Sequence, residues 1–265
     1  MLAAAKAEQH DEIDREMDDR LAITRWSPEE TLALGSRILA DEGHWRGGLA
    51  GQITARAGAN RFLTLGFGVG FDEAKPDSLV LVDDHLKPVG NRGDMPNPGV
   101  RFHIRVYRDR PGVGCIVHTH PPAVAALSMV GEALAVAHMD ATPFFDDCAY
   151  LADWPGLPIA DREGEIISDA LGPKHAIVLA HHGLLTIGAT IEDAVMRAVW
   201  LEHAADMQLR ARAIGPIKPI RPELAAESRD FLTKRKVIDL TFAYFARRAL
   251  RRDPDCLAPT HRPRP

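Results

Sequence analysis

The chain has 265 residues, 46% of them apolar and 26% charged, with a net charge of −5. That length suits one large domain or two small ones, and the balance excludes wholesale disorder and a chain-wide polyanion-binding surface, so neither nucleic acid nor membrane is expected as a partner. Three cysteines far apart (Cys115, Cys148, Cys256) and a polar, acidic first 25 residues fit a reduced, cytoplasmic chain without a signal peptide.

Residues 1–26 are dense in Asp, Glu, Lys and Arg and predict a polar N-terminal arm, partly helical or without fixed structure. Ser27-Pro28-Glu29-Glu30 starts a helix: Ser27 caps, Pro28 suits the first turn, Glu30 completes a capping box and Gly43 stops it. Strand-type pieces follow at 52–56 and 61–65, then a short buried strand at 79–82 and a hairpin turn at Asp83-Asp84-His85. Residues 90–99 read as a turn-rich loop from which Asn97-Pro98 opens a helix, with Val100, Ile104 and Tyr107 inward and Arg101, Arg105 and Arg108 outward. Strand 114–117 runs into His118-Thr119-His120-Pro121-Pro122, and a helix follows from Ala123 to about Val130.

A strand is expected at 133–137, loop at 140–160, a helix at 161–171 and strands at 176–180 and 184–187. Thr190-Ile191-Glu192-Asp193 caps a helix to Ala213. The divisions implied are the arm, a domain at 27–213, a proline-bearing linker at 214–222, one long basic helix at 223–252 and a tail at 253–265. Strands interleaved with helices make an α/β sandwich. GxGxxG, GxxxxGK[ST] and GxSxG are all absent, which removes the commonest nucleotide-binding and serine-hydrolase readings.

The unusual number is 12 histidines. In a strand, residues two apart share a face, so His118 and His120 project together where an apolar strand leaves the core. Such a pair alone also fits two surface histidines at a strand end. A second apolar run, however, ends in His181-His182-Gly183, with Gly183 expected to turn the backbone sharply. Three convergent imidazoles with an open position are a catalytic metal pattern.

GCIVHTHPP followed by VLAHHGLLTIGATIEDA resembles the class II aldolase/adducin family. Gln52-Ile53-Thr54 and the strand–turn stretch 63–71, with Gly68, resemble upstream family segments, and Gly99 to His103 lies where the family has E-x-x-x-H. The resemblance implies a three-layer α/β/α sandwich with a central, mainly antiparallel sheet. It implies that His118, His120 and His182 hold a divalent metal, zinc first, with manganese or iron(II) as alternatives. It implies a homotetramer with sites between subunits and a small-molecule substrate. Asp140 matches an acidic acid/base position, with His138 beside it, and Tyr244 is placed to assist from a neighbour. Gln52, Gly68, Asn97 and Phe145 are the expected substrate-binding residues.

The departures are informative. Gly99 replaces the family's catalytic glutamate, Gln52 replaces an asparagine, and Asn97-Pro98 replaces two serines of the sugar-phosphate aldolases. The expected activity is therefore a metal-dependent carbon–carbon lyase, aldolase or decarboxylase, on a non-phosphorylated hydroxy-, keto- or aromatic acid. The alternatives are an iron(II) oxygenase on the same three histidines and an adducin-like interaction protein without catalysis.

Overall fold

Seven short stretches rich in Val, Ile, Leu and Thr pair into one sheet in the computed structural model, which describes residues 2–90, 95–157 and 161–259. They are β1 (Gln52–Arg56), β2 (Arg61–Leu65), β3 (Leu79–Asp83), β4 (Cys115–Thr119), β5 (Cys148–Leu151), β6 (Ala176–Leu179) and β7 (Gly183–Gly188). Their spatial order is β3-β2-β1-β4-β7-β6-β5, antiparallel except for the β5–β6 pair. The helices are α1 (Leu2–Arg20), α2 (Pro28–Asp41), α3 (Arg101–Asp109), α4 (Pro122–Met129), α5 (Asp161–Leu171), α6 (Ile191–Ile214), α7 (Pro222–Leu232) and α8 (Arg235–Arg252). None of them is long and apolar enough to cross a membrane.

The sheet separates two cores, which makes the fold a three-layer α/β/α sandwich. On one face Phe102, Val106 and Tyr107 of α3 and Ile167 and Leu171 of α5 meet Ile116, Ile177 and Leu185. On the other face α2, α4, α6 and α8 pack over Cys115, Val117, Val178 and Leu184. Each fully buried Leu, Ile or Phe contributes about 1.5–3 kcal/mol. Exposed ion pairs contribute only ~0–1 kcal/mol each, so the two cores dominate. Strand alternation sends Ile116 to the α3 face and Cys115 and Val117 to the other. His118 follows Ile116 and packs edge-on against Phe102 of α3.

Two charged clusters tie the second layer together. Arg197 of α6, only 7% exposed, donates to Asp193 at 2.7 Å and to Asp147 at 2.9 Å. Asp147 also accepts from the backbone N–H and ring of His175 at 2.9 Å, so the residue before β5 is fastened to α6 and to the approach to β6. Glu42, after α2, accepts from His203 of α6 at 3.1 Å and from Arg248 of α8 at 2.9 Å.

The Glu42 hydrogen bond raises the His203 pKa against burial, and the charges of Glu42, Glu202 and Asp206 add to it. The same bond lowers the Glu42 pKa against burial, helped by Arg248. A raised histidine contributes stability that is complete below its unfolded value and is lost as pH rises through its folded value. A lowered carboxylate contributes stability that is complete above its unfolded value and is lost on acidification. The pair is therefore strongest between the ordinary values of 4.5 and 6.5. His203→Ala is expected to lower the urea midpoint clearly near about pH 6 and to converge on the parent near about pH 9. A gap between the two proteins that does not narrow with pH would contradict this.

The N-terminal arm is partly helical, with its helix from Leu2 to Arg20. Three local expectations are corrected. The strand expected at 133–137 does not form: Gln208 of α6 takes the Ala135 N–H at 2.7 Å and donates to the Ala133 carbonyl at 3.1 Å, where a sheet partner would have stood. The stretch 140–160 is not all loop, since Met139–Phe144 winds into a 3-10 turn and Cys148–Leu151 adds the edge strand parallel to β6. The long C-terminal helix is two, because Lys234 is extended (ψ 135°) between α7 and α8. Residues 91–94 of the loop at 90–99, residues 158–160 and the tail from 260 lie outside the described residues.

Candidate metal centre

β4 lies mid-sheet between β1 and β7, with His118 in register with Gln52 on one side and Leu185 on the other. His118 Nδ1 lies 2.7 Å from the Leu184 carbonyl. A carbonyl only accepts, so Nδ1 carries the proton and Nε2 keeps its lone pair. Nε2 of His118 and Nε2 of His120 are 3.0 Å apart. The His182 ring centroid is 4.8 Å from that of His118 and 4.5 Å from that of His120. Ligand nitrogens of the three all lie within 4.8 Å of one another. Nitrogens bound at ~2.0–2.1 Å to one ion sit about 3.0–3.4 Å apart, so the donor set fits one divalent cation.

Burial lowers the His118 pKa well below the usual histidine value, and His182 and His120 beside it add to the effect. Burial lowers His120 as well, and takes His182 down to about 4 with help from His120. All three are neutral near pH 7, which is the metal-binding form.

The backbone reaches this geometry differently from expectation. The left-handed residue in the β6–β7 turn is His181 (φ 57°), not Gly183. His181 is exposed, and its N–H donates to the Ser128 carbonyl at 3.2 Å. Gly183 is required for close approach instead: a Cβ there would lie 2.3 Å from the Thr119 carbonyl oxygen and 2.8 Å from Cδ2 of His120. Gly183→Ala is expected to push the His120 ring aside, to cost about 1–3 kcal/mol, and to lower metal content, as read by urea titration and metal analysis. Retention of full metal content would show that the contact does not position the ligand.

Glu202 of α6 supports the other side of the site. It is buried and accepts from the Ala123 N–H at 2.8 Å and the Val124 N–H at 2.9 Å, in the first turn of α4 just after His120-Pro121-Pro122. Behind β4, Thr119 Oγ1 meets His44 Nδ1 at 2.7 Å, and burial takes His44 down to about 3. On the α3 face His103 Nδ1 meets Thr54 Oγ1 at 2.9 Å, and burial takes His103 to about 3 as well.

A cavity of ≈ 320 Å³ opens over the three histidines, walled by Leu49, Phe67, Phe102 and Leu157, with Gln52 and Asn97 also in its lining. Asn97 is committed to the fold, accepting from the Gly99 N–H at 2.9 Å and donating to the Leu49 carbonyl at 2.8 Å. Gly68 (φ 101°) lies in an adjoining cleft shared with Gln52 and Asn97. Phe145 stands elsewhere, its carbonyl accepting from Arg229 at 3.2 Å. His138 and Asp140 are solvent-exposed and 3.7 Å apart, and Asp140 lines a different cavity with Trp200, His203 and Phe245. Tyr244 is half exposed on α8 against Phe245 and Arg248. Within one chain, then, Gln52 and Asn97 join the histidine cavity, while Phe145, His138, Asp140 and Tyr244 do not. The apolar walls and Glu202 were not singled out in the sequence. Leu157 carries no local signal, and Glu202 reads as one more polar residue on a long helix.

Comparison with known proteins agrees with this geometry. The class II aldolase and adducin N-terminal domain matches residues 30–209. The chain is 31% identical over 196 residues to 4-hydroxy-3-prenylphenylpyruvate oxygenase/4-hydroxy-3-prenylbenzoate synthase of Streptomyces roseochromogenus subsp. oscitans, covering 73% of this chain and 71% of that one. It is 30% identical over 226 residues to decarboxylase NovR of Streptomyces niveus, covering 84% of each. Among solved structures, L-fuculose 1-phosphate aldolase from Glaciozyma antarctica PI12 superposes with a TM-score of 0.78 at 29% identity, over 86% of this chain and 90% of that one. The chain therefore belongs to the class II aldolase and adducin family.

Proposed function

We propose that this chain is a metal-dependent carbon–carbon lyase acting on a small, non-phosphorylated carboxylic acid, with decarboxylation of an aromatic acid as the favoured reaction. The observation that carries the reading is the lining of the histidine cavity. Among the described residues it holds neither a carboxylate nor a cationic side chain. An aldol cleavage needs a base to take the substrate hydroxyl proton, and a phosphate needs cationic or free N–H partners. Loss of carbon dioxide needs neither to begin.

A divalent cation held by His118, His120 and His182 supplies Lewis-acid stabilisation of negative charge on adjacent substrate oxygens. Zinc is the first choice, with manganese or iron(II) as alternatives. Phe102, Phe67 and Leu157 offer apolar surface to a flat ring. The His118 Nδ1–H bond to Leu184 holds that ligand's lone pair on the cavity side. Asp140, His138 and Tyr244 serve proton transfer in this reading only where a neighbouring subunit of a cytoplasmic homotetramer brings them to the cavity. Similarity to decarboxylase NovR supports decarboxylation. An iron(II) oxygenase is the second reading, favoured by similarity to the oxygenase of Streptomyces roseochromogenus. An adducin-like binding role leaves three neutral, convergent histidines, one buried and two half-buried, without a purpose.

The test is metal analysis of protein purified without added metal, followed by a panel of hydroxy-, keto- and aromatic acids assayed for carbon dioxide, aldehyde and oxygen uptake. Zinc or manganese with carbon dioxide release supports the lyase. Iron with oxygen consumption replaces it by the oxygenase. Absence of metal and of any turnover overturns both.

A further inference from the structure

We propose that Gln52 sets the specificity of the histidine cavity, selecting an aromatic acid with a free hydroxyl, and that it does so by occupying the space left open at Gly99. This rests on the lyase reading above.

Five observations converge on this residue. Gln52 is opposite His118 in the β1–β4 register, so its side chain leaves the sheet beside a metal ligand and on the same face. It is only 7% exposed. Its amide orientation is settled by chemistry: Nε2 lies 2.6 Å from the Ala50 carbonyl, which cannot donate, so the nitrogen faces that carbonyl and the oxygen faces away. That oxygen, Oε1, is buried and has no hydrogen-bond partner. Lastly, the amide lies directly over Gly99, where a Cβ would come within 2.9 Å of Nε2, 3.0 Å of Cδ and 3.2 Å of Oε1. The long amide and the missing side chain are thus one feature. Any residue larger than glycine at 99 displaces the Gln52 head.

The ligand chemistry follows from what else lines the cavity. Asn97 spends both ends of its amide on Gly99 and Leu49. The histidine lone pairs face one another as a donor set for a cation. Among the described residues the remaining polar side chain of the lining is Gln52, whose buried Oε1 is an acceptor without a donor, in walls otherwise made of Leu, Phe, Ala, Pro and Gly. A buried lone acceptor discriminates by what it lacks: it welcomes an O–H and penalises an isostere that brings no proton. Phe67 and Phe102 suit the face and edge of an aromatic ring that would carry the hydroxyl.

The experiment measures binding to the zinc-loaded protein by calorimetry, using 2-, 3- and 4-hydroxybenzoate against the matching fluorobenzoates, which have similar size and no donor. At one ring position the hydroxyl compound is expected to bind about five- to tenfold more tightly, the worth of one neutral hydrogen bond. Gln52→Leu is expected to bring that ratio to within about twofold of unity, with zinc content unchanged. Gly99→Ala is expected to do the same by displacing the amide, and the double variant to lose no more than either alone. A hydroxyl preference that survives Gln52→Leu, or losses that multiply in the double variant, overturns the proposal and leaves the lyase reading standing. If none of these acids binds the zinc-loaded parent, the aromatic-acid reading falls and the proposal falls with it.

Discussion

His120→Ala is expected to lose most of its bound metal and to drop metal-dependent turnover by more than about 100-fold. Removing a group that merely orients a ligand already costs ~10–100-fold, and this change removes a ligand from a set of three. The neighbouring His181→Ala is the control. Its side chain is exposed, and the residue serves the turn through its left-handed backbone. It is expected to keep metal and turnover within about twofold, with at most a small stability change. Metal-to-protein ratios of both variants, measured after dialysis against a weak chelator, check the assignment. Full occupancy in His120→Ala would show that the ligand set is wrong.

The second large effect lies away from the site. Arg197→Met is expected to destabilise the fold by about 3–5 kcal/mol, because it strips the counter-charge from two largely buried carboxylates, Asp193 and Asp147. The bulk of the side chain is kept, so the loss reports charge and hydrogen bonding rather than a cavity. Asp147 sits at the start of β5 and also holds His175, so the β5 edge is expected to lose amide-exchange protection before the central strands do. A urea melt with an unchanged midpoint would refute the first claim, and uniform loss of protection the second.

Much of this was legible in the sequence because it depends on local periods. A strand places His118 and His120 on one face by alternation alone. Ser27, Asn97 and Thr190 cap their helices through side-chain bonds to residues two or three further on. The misses share a physical cause, which is competition from distant residues. Nothing local tells 133–137 that Gln208 will take its backbone groups. The break between α7 and α8 has neither Gly nor Pro to announce it, and Lys234 there pairs with Asp14 of α1. Gln52 and Gly99 were each visible as departures from the family pattern, but their mutual fit is a property of the packing between β1 and the turn before α3. The distance between Asp140 and the histidines has the same origin, since a short 3-10 turn carries it to another cavity.

The bond from His118 to the Leu184 carbonyl has one further consequence. The group that orients this ligand is peptide, and no change of residue type at position 184 deletes a carbonyl. The walls of the cavity are the reverse case, since Leu49, Gln52, Phe67 and Leu157 act through side chains that a single base change can alter. Drift in such a chain falls on what the cavity accepts rather than on how the ligand is held. A lineage with this arrangement can exchange one substrate for another in small steps without passing through a form that has lost its metal site.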